Sequence, residues 1–186
     1  MPASNPRSAD EILALAGRGL FVSQFVEYYL TMLCGKFQTK ENLDPRPDSG
    51  LFGHSKEKTA SLQTIRKALD EIGINADHYL IPEIDDFVKR RDWLAHRLFI
   101  DMNTTRAKTR NFQAVGLEEL ISQASRLIGV TLALSKHIAE KHPDVEALPV
   151  DHIVNRLTEP YSDEANAILN CMKRGPADID SRSTKA

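Results

Sequence analysis

Apolar residues recur at steps of three and four positions from Leu117 to Ile138, and this pattern constrains the fold more than any other in the chain. Such a period is that of an α-helix with a buried face. Pro143 and Pro149 then end the helical pattern. No stretch shows sustained alternation of apolar and polar residues, so the sequence predicts an all-α fold, a bundle of four to six helices with little or no sheet.

The first helix is predicted from Ser8 to about Phe37. Ser8 and Glu11 have the spacing of a capping box, in which each residue satisfies a free backbone N–H at the start of the helix. The segment that follows carries too many apolar residues for one narrow stripe. We therefore expect this helix to lie centrally and to contact several others.

Caps and helix breakers divide the rest of the chain. Helices are predicted for Lys58–Ile72, Pro82–Phe99 and Asp151–Lys173, the last interrupted at Pro160. Connectors are predicted for residues 41–55, Asn75–Ile81 and Thr104–Gln113, the last being either a loop or a frayed helix end. Residues 1–174 are expected to form a single domain, and the polar residues 175–186 a disordered tail.

Composition narrows the functional classes. A net charge of -2 and a pI near 6.3 predict no general attraction to nucleic acid, so any RNA contact must use a local patch.

Cys34 and Cys171 are two thiols without metal-site spacing, which indicates a reducing, cytoplasmic environment. The first ten residues lack the pattern of a signal peptide, and the apolar runs are too short to span a bilayer. P-loop, dinucleotide-binding and zinc motifs are missing from the sequence.

The most informative segment for function runs from Val88 to Phe99, with the sequence VKRRDWLAHRLF. On a helical wheel Arg91 falls within an apolar stripe that includes Ala95, and Trp93 falls on the opposite face. A guanidinium in such a stripe needs a counter-charge or water, and no acidic residue on the same stripe is placed to reach it. Asp92 and His96 are one turn apart, a spacing that favours a hydrogen bond between them.

Two interpretations of this segment are open from spacing alone. In the first, Arg91 extends its stem over apolar surface and His96 is a rim residue bonded to Asp92. In the second, Arg91 binds a phosphate and His96 transfers a proton. Arg91 and His96 are about 140° apart around the helix, so two copies of the helix would form a shared cleft more easily than one.

The run Arg91-Asp92-Trp93-Leu94-Ala95-His96 resembles the R-x4-H motif of HEPN domains. The resemblance covers about residues 82–100, with Phe99 following soon after His96, and Asp92 stands where asparagine is frequent in that family. It implies an all-α bundle and a metal-independent endoribonuclease that works as a homodimer with two converging motifs. It also implies a bacterial toxin or phage-defence effector, with an antitoxin or another regulatory protein as a further partner.

The resemblance assigns roles to five residues. His96 and Arg91 would be catalytic, His96 moving the proton and Arg91 stabilising charge on the phosphate. Asp92 would orient His96, and Arg90 and Arg97 would contact the RNA backbone. No metal or other cofactor is expected. The alternative hypothesis is a non-catalytic helical scaffold or sensor that binds a protein, a nucleotide or RNA.

Overall fold

The computed structural model describes residues 7–37, 79–98, 100, 107–143 and 145–174. These residues form α1 (Ala9–Phe37), α2 (Leu80–His96), α3 (Ala107–Lys141), α4 (His152–Thr158) and α5 (Ser162–Arg174), with a short 3-10 turn at Glu159–Tyr161. No strand occurs within these ranges. The predicted all-α fold is therefore confirmed, whereas the predicted helix at 58–72, the loop at 41–55 and the tail at 175–186 lie outside the described residues.

The capping box predicted for the first helix is present. The backbone N–H of Ser8 donates to Glu11 Oε2 at 2.7 Å, and the N–H of Glu11 donates to Ser8 Oγ at 3.1 Å. These two bonds satisfy N–H groups that a helix start leaves free, and α1 begins beside them at Ala9. Hydrogen bonding by Ser8 also lowers the pKa of the Glu11 carboxyl.

Two long helices, α1 and α3, form the centre of the bundle, and α2 packs against both. A single cluster of buried apolar side chains joins all the helices. Its largest fully buried members are Phe87, Ile12, Leu30, Leu33, Leu80, Ile84, Leu94, Leu98 and Leu117. The sequence prediction that α1 is central is correct, because its buried residues contact more than one neighbouring helix.

A glycine allows α2 to approach α1 closely. A Cβ built on Gly19 would lie 3.1 Å from Leu94 Cδ2, closer than side-chain contacts normally are. Leu94 itself is fully buried, so it has little freedom to move away. Gly19 therefore helps to fix the distance between the two helices that carry the candidate site.

The C-terminal helices are held by specific polar contacts. Asp151 caps α4 by accepting hydrogen bonds from the N–H groups of Ile153 and Val154. The connector before it is pinned twice, since Tyr29 Oη donates to the Pro149 carbonyl at 2.9 Å and Ser135 Oγ accepts from the Leu148 N–H at 2.7 Å. The predicted interruption at Pro160 corresponds to the 3-10 turn between α4 and α5.

Three sequence expectations need correction. Helix α3 begins at Ala107, so most of Thr104–Gln113, predicted as a loop or a frayed end, is helical. Trp93 is partly buried and packs against the core rather than facing away from it, while Ala95, placed on the apolar stripe, is exposed.

The described helices include none long and apolar enough to cross a membrane.

Candidate functional site

Helix α2 carries four of the five residues predicted from the sequence, and the fifth, Arg97, caps its C-terminus. It begins at Leu80, two residues before the predicted Pro82, and ends at His96, so the motif occupies its last two turns. Its apolar residues, among them Phe87, Val88 and Leu94, are buried against the bundle. This packing fixes the rotation of α2 and leaves the motif residues along the border between core and solvent.

Arg91 has a counter-charge on α1. Its Nη2 atom lies 3.0 Å from Oε1 of Glu27, and both side chains are about three-quarters buried. We expected that an acidic partner would have to come from elsewhere, because none lies on the stripe of α2. The neighbouring helix supplies one within the same chain. Arg91 therefore does not require a second subunit to balance its charge.

Glu27 is a functional candidate that the sequence analysis missed. Burial raises the pKa of its carboxyl, the charge of Arg91 opposes that rise, and Asp92 adds to it. The sequence does contain a signal, since Glu27 is the one charged residue between Gly19 and Gly35. A lone carboxylate in such an apolar run needs a cationic partner. Its pairing with Arg91 could not be predicted because it depends on how α1 and α2 pack.

Asp92 contacts Arg91 instead of His96. Nη1 of Arg91 donates to Oδ1 of Asp92 at 3.3 Å. The expected bond between Asp92 and His96 is not formed among the described residues, although the two are one turn apart. The Asp92 side chain is about half exposed. Asp92 is therefore a solvent-facing partner of the Arg91 guanidinium, held by one long hydrogen bond. No contact supports the expected role of Asp92 in orienting His96.

His96 and Arg97 lie at the exposed end of α2. His96 is its last residue, and Arg97 is the capping residue, whose backbone N–H donates to the Trp93 carbonyl at 2.8 Å. Both side chains are exposed to solvent. They are accessible to a large ligand such as RNA, and the C-terminus of a helix favours positive charge there.

Arg90 is directed to a different neighbour. Its Nε atom lies 2.9 Å from Oδ2 of Asp86 on the same helix, and its Nη1 atom lies 2.7 Å from Oε2 of Glu119 on α3. These carboxylates raise the pKa of the Arg90 guanidinium and keep it charged. Arg90 and Arg91 thus pair with different helices, and the structure does not bring the two guanidinium groups to one point.

Arg90 also lines a polar groove of about 630 Å³ between α2 and α3. Arg126 donates to both oxygens of Glu83 at 2.9 and 3.1 Å, and Gln123 donates to Glu83 and Asp86 at 3.0 Å each. Gln123 is buried, and these bonds satisfy its side-chain NH2 group, whereas its Oε1 atom has no hydrogen-bond partner among the described residues. The groove is lined by four carboxylates and two guanidinium groups, so it carries a net negative charge, and its ion pairs link α2 to α3.

The C-terminal end of α2 presents basic side chains to solvent, but two carboxylates, those of Glu27 and Asp92, already pair with Arg91. Exposed His96 and Arg97 and partly exposed Arg91 can contact an anion, and Asp92 and Glu27 compete with it. Within the described ranges, no group of three or more histidine, cysteine or acidic side chains is arranged to hold a metal ion. Proton transfer and charge stabilisation by these side chains are the chemistry that the geometry permits.

No family model, no curated protein sequence and no solved structure matches the chain. The class that can be stated from the structure is an all-α protein in which α2 carries an arginine paired with a carboxylate of α1 and ends at an exposed histidine.

Proposed function

We propose that this protein is a metal-independent endoribonuclease of the HEPN type, with Arg91 and His96 as its catalytic residues. The observation that carries the proposal is the placement of the R-x4-H motif at the exposed end of α2. His96 is free to meet a substrate there, and Arg91 reaches the surface from a fixed position. The motif residues are therefore accessible, as a nuclease acting on a large substrate needs.

The reaction follows from the chemistry of the two side chains. His96 takes the proton from a ribose 2′-hydroxyl, which attacks the adjacent phosphorus. Arg91 stabilises the negative charge that develops on the phosphate oxygens. The bond from phosphorus to the 5′-oxygen then breaks and the 5′-oxygen accepts a proton from water, so the products are a 2′,3′-cyclic phosphate and a 5′-hydroxyl. Arg97, and Arg90 where its carboxylates release it, contact the RNA backbone.

Phosphate must compete with carboxylates for Arg91, and the two carboxylates differ in how readily they give way. Asp92 is about half exposed and regains water when it leaves, whereas Glu27 is about three-quarters buried. The substrate therefore displaces Asp92, and Glu27 stays in place. In this proposal Glu27 positions the guanidinium, since a held arginine loses less freedom when it binds an anion.

Two copies of the protein contribute to the site. Five residues separate Arg91 from His96, which places them about 140° apart around α2. A homodimer in which two copies of the motif converge lets each phosphate meet an arginine and a histidine from different directions. A cellular role as a toxin or a phage-defence effector, silenced by an antitoxin or another regulatory protein, belongs to the same proposal.

Purified protein incubated with total RNA in EDTA tests this function. We expect wild-type protein to cut RNA, and Arg91→Ala and His96→Ala each to lose about 10²–10⁴-fold in rate. His152→Ala and Arg156→Ala, which alter exposed residues on α4, are matched controls that retain activity. If mixed Arg91→Ala and His96→Ala subunits regain activity, the site is shared between copies. Full activity in both single variants would refute the proposed roles.

A specific observation favours a second candidate, a non-catalytic helical scaffold or sensor. Both arginines at the start of the motif form ion pairs with other helices, Arg91 with Glu27 on α1 and Arg90 with Glu119 on α3. Such pairs can hold α2 in place without any chemistry. A wild-type protein that binds RNA or a protein in EDTA but cleaves no RNA would support this candidate.

A further inference from the structure

The outward side of α1 is unusually apolar for a surface helix. Four large apolar side chains along it are 36–52% exposed: Leu13, Leu20, Phe21 and Tyr28. Gly17 and Gln24 complete this surface, which we call the α1 outer face, and its six residues carry no charge. It extends for about 22 Å, from Leu13 to Tyr28. Contiguous exposed apolar surface of this kind commonly marks an interaction site.

A groove continues the α1 outer face on one side. It has a volume of about 500 Å³ and is lined by Phe21, Gln24, Phe25, Tyr28, Tyr29, Pro149 and Asp151. Its walls are fixed, because Tyr29 Oη donates to the Pro149 carbonyl and the rings of Phe21 and Phe25 pack edge to face with centroids 5.0 Å apart. An apolar side chain from a partner could enter this groove without a large rearrangement.

The order of residues along the face is self-complementary. Leu13 and Tyr28 are equally far from the midpoint between Leu20 and Phe21, and so are Gly17 and Gln24. If two copies of α1 pack antiparallel about that midpoint, Leu13 of one copy meets Tyr28 of the other. Gly17 likewise meets Gln24, and Leu20 meets Phe21. A two-fold interface requires this kind of reciprocal matching.

Gly17 favours a close approach at this contact. A Cβ built on Gly17 meets no other atom within 4 Å, so the space above it is open, unlike that above Gly19. In the antiparallel arrangement Gly17 of one copy lies opposite Gln24 of the other, and the missing side chain of the glycine lets the two backbones come near each other. The glycine serves no packing need within the described part of its own chain.

Charges at the border also match. Arg18 is exposed beside the face on the side of the groove, and Asp151 is exposed at the groove itself. A two-fold axis perpendicular to antiparallel helices keeps both grooves on one side of the dimer. Arg18 of each copy therefore lies at the rim of the partner's groove, near Asp151, where opposite charges attract.

We propose that the α1 outer face is a homodimer interface in which two copies of α1 pack antiparallel about the midpoint between Leu20 and Phe21. The inference is independent of RNA cleavage. The same two-fold axis leaves both Glu27–Arg91 pairs on one side of the dimer, opposite the grooves. The exposed apolar area is roughly 350 Å² per copy, since the two half-exposed rings of Phe21 and Tyr28 contribute on the order of 100 Å² each and Leu13 and Leu20 somewhat less. An interface of this size is at the weak end of specific complexes, so the dimer dissociates in the micromolar range.

Analytical ultracentrifugation from about 1 to 200 µM tests the interface. We expect a monomer–dimer equilibrium whose dissociation constant rises at least tenfold in Leu20→Glu and in Phe21→Glu, because each places like charges together at the axis. Phe112→Glu on α3, which changes an aromatic residue that is 78% exposed, is the matched control and leaves the equilibrium unchanged. A monomer at every concentration, or a dimer indifferent to both α1 variants, would overturn the proposal.

Disulfide trapping tests the register separately. In a background with Cys34→Ser and Cys171→Ser, an equimolar mixture of Gly17→Cys and Gln24→Cys proteins is oxidised at high protein concentration. We expect the mixture to crosslink. Gly17→Cys protein alone should crosslink far less, since its two thiol-bearing positions are seven residues, about 10 Å, apart along the helix axis. Equal crosslinking in both samples would refute the antiparallel register even if a dimer exists.

Discussion

Removing the charge of Arg91 should destabilise the fold in a pH-dependent way, because Arg91 neutralises Glu27. The perturbation is Arg91→Gln, which leaves a carboxylate about three-quarters buried without its cation. At an effective dielectric constant near 20, unit charges about 4 Å apart attract by about 4 kcal/mol, part of which offsets their desolvation. Breaking a fully buried pair costs about 3–5 kcal/mol. This pair is only about three-quarters buried and keeps some contact with water, so we expect a loss of about 1–2 kcal/mol at pH 7.

The pH dependence has a definite sign. Burial already raises the pKa of Glu27 above its ordinary value of 4.5, and Arg91 opposes that rise. Without Arg91 the pKa of Glu27 in the folded state rises further. The free energy of unfolding is therefore lowered at every pH at which this carboxyl is ionised in the unfolded chain. The cost should be smaller near pH 4, which lies below the ordinary pKa of 4.5, and should grow as the pH rises through the raised folded pKa of Glu27.

Urea denaturation at pH 4 and pH 7 measures the effect, with a fall of about 2–4 °C in melting temperature for each kcal/mol as an independent check. Arg97→Gln is the matched control, since Arg97 is exposed and its change should stay within about 0.5 kcal/mol. The double variant Glu27→Gln/Arg91→Gln should recover most of the loss. An Arg91→Gln cost that equals the control, or that is the same at both pH values, would refute the reasoning.

Three further predictions concern stability. At protein concentrations low enough for the chain to be monomeric, Gly17→Ala should raise the free energy of unfolding by about 0.5–1 kcal/mol, because it removes a flexible residue from an open helix surface. Gly19→Ala should gain nothing, because its Cβ crowds Leu94, and equal gains of the two variants in thermal melts would refute the importance of that contact. Burial and the nearby charges Lys173 and Lys141 lower the pKa of His137 below 6.5, so stability should fall as the pH drops through that folded pKa, and a His137→Gln protein with the same pH profile as wild type would contradict this. Asp151→Ala should cost about 0.5–2 kcal/mol in urea denaturation, since two N–H groups at the start of α4 lose their acceptor, and an unchanged midpoint would argue against the cap.

Within the described residues, the sequence predicts the helices well because their signals are local. The Ser8–Glu11 capping box and the interruption at Pro160 depend on neighbouring residues alone, and both are present in the structure. The start of α3 was predicted too late, because a polar segment such as 107–113 carries little apolar periodicity although it continues the helix.

The site was less predictable because it depends on contacts between helices. Sequence reasoning recognised that Arg91 needs a negative partner, and Glu27 meets that need from α1. It could not determine which helix would supply the carboxylate. The i, i+4 spacing of Asp92 and His96 favoured a bond between them, but Arg91 is closer to Asp92 and carries a permanent charge. Charge pairing across a helix interface therefore decided the geometry.

The most direct test of the central claim is the end chemistry of a defined RNA. A 5′-labelled oligoribonucleotide would be incubated with wild-type protein in EDTA, beside His96→Ala and the control His152→Ala. The account predicts fragments that end in a 2′,3′-cyclic phosphate, formed at a rate about 10²–10⁴-fold lower in His96→Ala and unchanged in His152→Ala. Cleavage that is equal in all three proteins, or that leaves a 3′-hydroxyl, would contradict catalysis by Arg91 and His96.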